Sequence, residues 1–476
     1  MQIAHLTPDA LPSFIHLQPI HLNGLEPIHL GGSPIDLGIA LQHTPAAYDP
    51  TRPLLRVSPD IILSQQNIEA ASKSDHLLHN ALQVAGPLAY SPRGAICIYL
   101  LLRLGTTAGL AKGERDAWCE YIRFLPRNVP LPTTYNTAEL TLLTGTSLES
   151  AVFSKVRRLE QEFETLENVF PWATVQDWIY VDALFRSRSL ELPGYGVSMV
   201  PVLDFANHSQ DANAFFDVNK EGEVTLSLRP GVELKQGEEV TINYAGEEGK
   251  SAAEMAFSYG FLPEMDTAGG ISLPVKPQMG DPLMRVKLMV WKGARDIRIR
   301  EEGEEVSWEA PLVYLVNLNE EDGLQFEVLQ TTEGERTIQV LFREKEVGDL
   351  EKLEAILKET EMWEVHQLRA VVMVKEEVEE QLSRIRDDPE MYHDDEGEED
   401  VEGRPQELSV ITRLKELEEV LLAKAVAKME KQQEKLMSSP SIVAYLAQFQ
   451  ENEEEEEESR AVETAELDAD GEIDLS

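Results

Sequence analysis

The chain has 476 residues, 42% of them apolar, a formal charge of −44 and two cysteines, Cys97 and Cys119. That length accommodates roughly two or three domains with a packed core, and two thiols exclude a disulfide framework or a four-thiolate zinc site. So acidic a surface repels nucleic acid and anionic membrane, which excludes both as direct ligands, and it attracts a basic protein.

The opening stretch "MQIAHLTPDALPSFIHLQPIHL" lacks the basic and continuous apolar regions of a signal peptide. No uninterrupted apolar run reaches the ~20 residues that span a bilayer. These features imply a soluble protein of the reducing cytoplasm, with the nucleus as a second location. Residues up to about 85 read as short strands and turns, with Gly24, Gly31, Gly32 and Gly38 among the breakers. From Ser91 the spacing turns helical: "GAICIYLLLRLG", "ERDAWCEYIRFLP", "SLESAVFSKVRRLEQEFETL" and "WATVQDWIYVDALFRSRSL". Strand character returns in "GVSMVPVLDF", "VTLSLRPG" and "EEVTINY". A β-rich domain is therefore split by a helical insertion. After a mixed region from Pro274, two long amphipathic stretches, one from Leu350 and one from Glu407, read as packed helices. The runs Asp394–Pro405 and Glu451–Ser476 are dense in acid, as solvated segments are, or segments that hold basic partners.

Two motifs invite misreading. "YAGEEGKS" (Tyr244–Ser251) looks like a phosphate loop, but Tyr244 stands where a Walker loop needs glycine, and two glutamates would repel phosphate. Ser251 and Glu254 instead fit a capping box that starts a helix. "VPVLDFANHSQD" (Val200–Asp211) begins like a buried strand and runs into Asn207-His208-Ser209. Glycosylation needs a secreted chain, and metal needs at least three protein ligands where only Asp204 and His208 offer themselves. A binding loop at a strand end remains, alongside a hydrogen-bonded structural loop.

The surrounding motifs favour binding. In order come "NGL", "DLGIAL", "YIRFLPRNVPLPTTYNTAELTLLTGTSL", "FPWA", "RSR", "VPVLDFANHS" and "GEEVTINY" through "KSAAEMAFSYGF". Over about residues 20–265 this series resembles the SET-domain protein methyltransferases of the Rubisco large-subunit methyltransferase type. That group includes fungal ribosomal-protein and elongation-factor lysine methyltransferases. The resemblance implies an α+β fold: a split β-rich SET domain at 20–265 with its helical insertion at about 86–175, and a mostly helical substrate-binding domain at 266–445 carrying an acidic insert at 387–404. An acidic tail at 446–476 follows. It implies a monomer that methylates a lysine with S-adenosylmethionine (AdoMet) and uses no metal. The charge and the resemblance both point to a basic ribosomal protein or translation factor.

Residue by residue, the resemblance makes Tyr244 catalytic. It gives Asp36, Leu37, Gly38, Arg188, Asn207, His208, Tyr244 and Phe261 to the cofactor. Asp204, Phe216 and Tyr259 line the channel of the substrate lysine. Three positions depart from the pattern. Asp36 replaces a glycine, Phe216 stands where relatives often have Tyr, and Ala252 stands where they place Asn. Two rival functions accompany this reading: methylation of a histidine, and non-catalytic binding of basic proteins.

Overall fold

The computed structural model describes residues 3–29, 37–41, 51–246, 249–277, 280–330, 336–387 and 404–447. Asp36 and most of both acidic runs lie outside the described residues. The chain divides into two compact units. One comprises residues 1–144, 148–266 and 389–414, the other 145–147, 267–388 and 415–476.

The first unit holds a four-stranded antiparallel sheet in the order Ile20–Leu22, Leu55–Val57, Val224–Leu228, Ala214–Val218. Leu55 faces Leu226 and Val57 faces Val224, and all four are fully buried, so one face of the sheet is core. Two hairpins flank it, Leu25–His29 with Leu37–Leu41 and Ser189–Leu192 with Gly196–Met199. A short parallel pair, Asn207–His208 with Thr241–Ile242, closes the corner where the site lies. The Val240 N–H donates to the Ile39 carbonyl, which ties that corner to the second strand of the first hairpin.

The insertion is built on the helix Pro92–Thr107, which is buried from Gly94 to Thr106. A helix apolar on all sides needs neighbours all round. Among them are His76–Ala85, Ala117–Tyr121 and Val175–Arg188. Asp182, on the last of these, accepts from Arg93 Nε at 2.6 Å, Lys155 Nζ at 2.9 Å and Arg186 Nε at 2.9 Å. Those three cations hold its carboxyl below the usual range against the opposing effect of burial.

The N-terminal region departs from the expected strands and turns, because Gln65–Ala71 and His76–Ala85 are helices. Ser64 caps the first through the Asn67 N–H, and Asp75 caps the second through the Leu77 and Leu78 N–H groups. Leu78, Ala81 and Ala85 then fall on one buried face. The expected strand through Val200 also stops early, at Met199.

The second unit contains the helices Leu353–Lys358 and Trp363–Arg386 and two three-stranded antiparallel sheets. One sheet joins Gly270–Pro274, Asp296–Glu302 and Glu305–Glu309. The other joins Leu324–Gln330, Arg336–Phe342 and Lys345–Glu346. The long helix expected from Leu350 is broken between Lys358 and Trp363. Among the described residues no helix is long and apolar enough to cross a membrane.

Candidate functional site

Tyr244 follows the Thr241–Ile242 strand, and its phenol donates to the Ala206 carbonyl at 2.8 Å. Its own N–H donates to His208 Nδ1 at 3.0 Å, which fixes that ring nitrogen as an unprotonated acceptor. The two rings lie 5.4 Å apart. Burial lowers the His208 pKa, a hydrogen bond with the Ile242 backbone opposes this, and the Lys250 ammonium adds to the lowering. Burial also lifts the Tyr244 phenol well above its ordinary range, so it is a neutral donor.

The next helix, Ala252–Tyr259, begins at the capping box that the sequence predicts, with Ser251 and Glu254 exchanging hydrogen bonds. Ala252 is fully buried inside it. The helix ends at Gly260, which has φ 76° and whose added Cβ would sit 2.3 Å from the Pro130 carbonyl oxygen. Only glycine fits that turn. The turn brings Tyr259 to 4.7 Å and Phe261 to 6.4 Å from the Tyr244 ring, and Phe261 to 6.0 Å from His208. The Lys250 ammonium donates to the Tyr244 carbonyl at 2.8 Å, and the Tyr259 hydroxyl shares that acceptor at 3.3 Å.

On the other side of Ala206, Arg188 Nη1 donates to the Asp204 carboxylate at 3.1 Å and to its carbonyl at 2.9 Å. The Tyr121 hydroxyl donates to the same carboxylate and accepts the Val202 N–H at 2.8 Å. Val202 carries φ 74°, an unfavourable angle for a β-branched residue. Burial raises the Asp204 pKa, with Arg188 and the Tyr121 hydrogen bond opposing. Arg188 Nε is buried and has no hydrogen-bond partner among the described residues. Asn207 Nδ2 donates to Glu239 at 2.7 Å.

Of the residues that the sequence singles out, His208, Tyr244, Tyr259 and Phe261 form one aromatic cluster, and Asn207 adjoins His208. Arg188 and Asp204 pair beside it. Phe216 is part-buried on the strand Ala214–Val218, with no ring contact to the cluster among the described residues. Gly38 pairs with Ile28 and the Leu37 backbone with His29. Asp36 cannot be placed. Sequence reasoning missed Tyr121, Glu239 and Lys250. Tyr121 lies in the quoted "YIRFLP" stretch, but nothing local shows that a helix 83 residues from Asp204 reaches it. Among the described residues no group of His, Cys, Asp and Glu is arranged to hold a metal.

The model of the cytochrome c lysine N-methyltransferase 1 family matches residues 189–273, which hold Asn207, His208, Tyr244, Tyr259 and Phe261. The SET domain of LSMT, solved with methyl-lysine and AdoHcy, aligns with 90% of this chain and 93% of its own, at a TM-score of 0.63 and 19% identity. The chain has the fold of the SET domain of LSMT. Rubisco LSMT bound to AdoMet aligns with 90% of this chain and 92% of its own at a TM-score of 0.62 and 18% identity. By sequence, SET domain-containing protein 8 of Schizosaccharomyces pombe is 31% identical over 249 residues, covering 50% of this chain and 57% of that protein. The chloroplastic [fructose-bisphosphate aldolase]-lysine N-methyltransferase of Arabidopsis thaliana is 27% identical over 37% of this chain and 39% of its own. The chain thus spans 57% and 39% of the length of these two curated relatives.

Proposed function

We propose that this protein is a SET-domain methyltransferase that transfers a methyl group from AdoMet to the side-chain nitrogen of a lysine in a basic protein. The observation that carries the reading is the Tyr244 hydroxyl held at the Ala206 carbonyl, next to Asn207 and His208 and inside the ring of Tyr259 and Phe261. The residues fit the cofactor. Among the described residues Arg188 Nε is a buried donor without a partner, suited to a carboxylate, and Asn207 is a second residue that would meet the cofactor. Gly38, the Leu37 backbone and the Phe261 ring are the further residues that would hold it.

AdoMet, when bound, supplies an electrophilic methyl. The protein's part is to deliver a neutral amine in line with it. Tyr244, a neutral phenol fixed by Ala206, and the neighbouring carbonyls orient the nitrogen. Tyr259 and Phe216 wall the lysine channel, and Asp204 holds Arg188 in place. The charge of −44 supports a basic acceptor. The first acceptors to test are cytochrome c, named by the matched family model, and ribosomal proteins or translation factors. In this reading residues 20–265 catalyse, residues 266–445 bind the protein substrate, and a monomer acts in the cytoplasm or nucleus.

The test is radiolabelled methyl transfer from AdoMet into a proteome lacking this protein. Tyr244→Phe should slow labelling by roughly 10²–10³-fold. It should keep the AdoMet-induced stabilisation, about 2.7 kcal/mol at 100 times Kd. A folded wild-type protein that labels nothing and shows no AdoMet stabilisation would overturn the reading.

A further inference from the structure

Lys250 stands at the mouth of the loop between Tyr244 and the helix Ala252–Tyr259. Its ammonium lies 2.8 Å from the Tyr244 carbonyl oxygen and 5.9 Å from the centre of the Tyr259 ring. It is half-buried, and among the described residues no carboxylate lies within ion-pairing distance of it. That is notable in a chain with 86 acidic residues against 42 Lys and Arg.

The other charged and titratable groups at this corner are each engaged. Arg188 is paired with Asp204, and Glu239 is engaged by the Asn207 amide. Tyr244 and Tyr259 are phenols that burial keeps protonated, and His208 is held neutral by the Tyr244 N–H. Among the described groups of the corner, Lys250 is the cation without a carboxylate partner, and Glu239 is the remaining anion.

We infer that Lys250 is a positioning residue of an electrostatic kind, a fixed cation that keeps the incoming substrate lysine neutral. This inference rests on the methyltransferase reading. A lysine ammonium, with an ordinary pKa of about 10.4, has no lone pair for attack and must first lose its proton. A like charge nearby disfavours the ammonium and so raises the neutral fraction at cellular pH. The proton leaves to solvent. The freed nitrogen pair would then form the N–C bond while the S–C bonding pair stays on sulfur as a neutral thioether, the positive charge passing to the methylated nitrogen. Lys250 also adds to the lowering of the His208 pKa, of which burial is the larger cause.

Two variants of the full chain test this, Lys250→Met and Lys250→Arg, with kcat/KM for methyl transfer to the labelled acceptor measured from about pH 6.5 to about pH 10. Lys250→Met should move the acid limb upward by roughly half a unit to one unit. Its deficit, roughly three- to tenfold near neutrality, should disappear at the alkaline end, and Lys250→Arg should restore the wild-type limb. An NMR titration of the apo protein should show the His208 pKa rising in Lys250→Met and not in Lys250→Arg. A loss equal at every pH, not rescued by arginine, would make Lys250 a mere tether of the loop and overturn the inference. An unshifted His208 would overturn it as well. Wild-type protein without transfer at any pH and without AdoMet stabilisation would overturn the methyltransferase reading beneath it.

Discussion

The helix Val175–Arg188 carries two buried ionic clusters of opposite character. Around Asp182, three cations meet one fully buried carboxylate at 2.6–2.9 Å. Each of the carboxylate oxygens is used, and the cations are further held by groups such as Glu162. Six residues on, roughly 9 Å along the axis, Arg188 meets Asp204, and there the pairing is incomplete: Nε is buried without a partner, and Val202 alongside is held at a strained angle. A network with every group satisfied fixes a scaffold. One that leaves a donor over, beside strained backbone, is arranged for something that arrives later.

The sharpest way to break this contrast is to attack the satisfied cluster. Asp182→Ala strands Arg93, Lys155 and Arg186 around an empty place. It should cost about 3–5 kcal/mol of stability, read by denaturant unfolding. A loss below about 1 kcal/mol would mean that the cluster is not structural. Arg188→Lys keeps the charge beside Asp204 but loses the planar fork. AdoMet affinity should weaken roughly tenfold by calorimetry, about 1.4 kcal/mol, while the melting temperature of the apo protein scarcely moves. Equal losses in both would place Arg188 with the scaffold.

The smallest effect concerns pH. The folded pKa of His208 lies below its ordinary 6.5, so folding favours the neutral ring. Its contribution is complete above pH 6.5 and is lost as pH falls through the lowered value. Between about pH 7 and about pH 5.5 the melting temperature should drop more in wild type than in His208→Asn. Identical slopes would remove His208 from the account.

What the sequence disclosed follows the same division. His208, Tyr244, Tyr259 and Phe261 sit in short local patterns, and the structure brings their rings together. The Ser251–Glu254 cap is equally local, three residues apart. The caps at Ser64 and Asp75 are as local, but residues 60–85, which hold no glycine or proline, read together with the breaker-rich stretch before them as strands and turns. Tyr121 carried no such signal: its role depends on tertiary packing against Phe205 and on reaching Val202 across the fold. Lys250 reads as an ordinary loop lysine until the Tyr244 carbonyl is seen beneath it.

The parallel pair Asn207–His208 with Thr241–Ile242 bears on the order in which the molecule folds. The site joins partners 36 residues apart at His208 and Tyr244, and 83 apart at Tyr121 and Asp204. Such distant contacts form only after long loops have closed. The corner is therefore among the late parts of the first unit to assemble, and no isolated segment of it contains a binding site. A ligand held there should therefore slow unfolding and leave the rate of folding almost untouched, as stopped-flow refolding and unfolding with and without AdoMet would read.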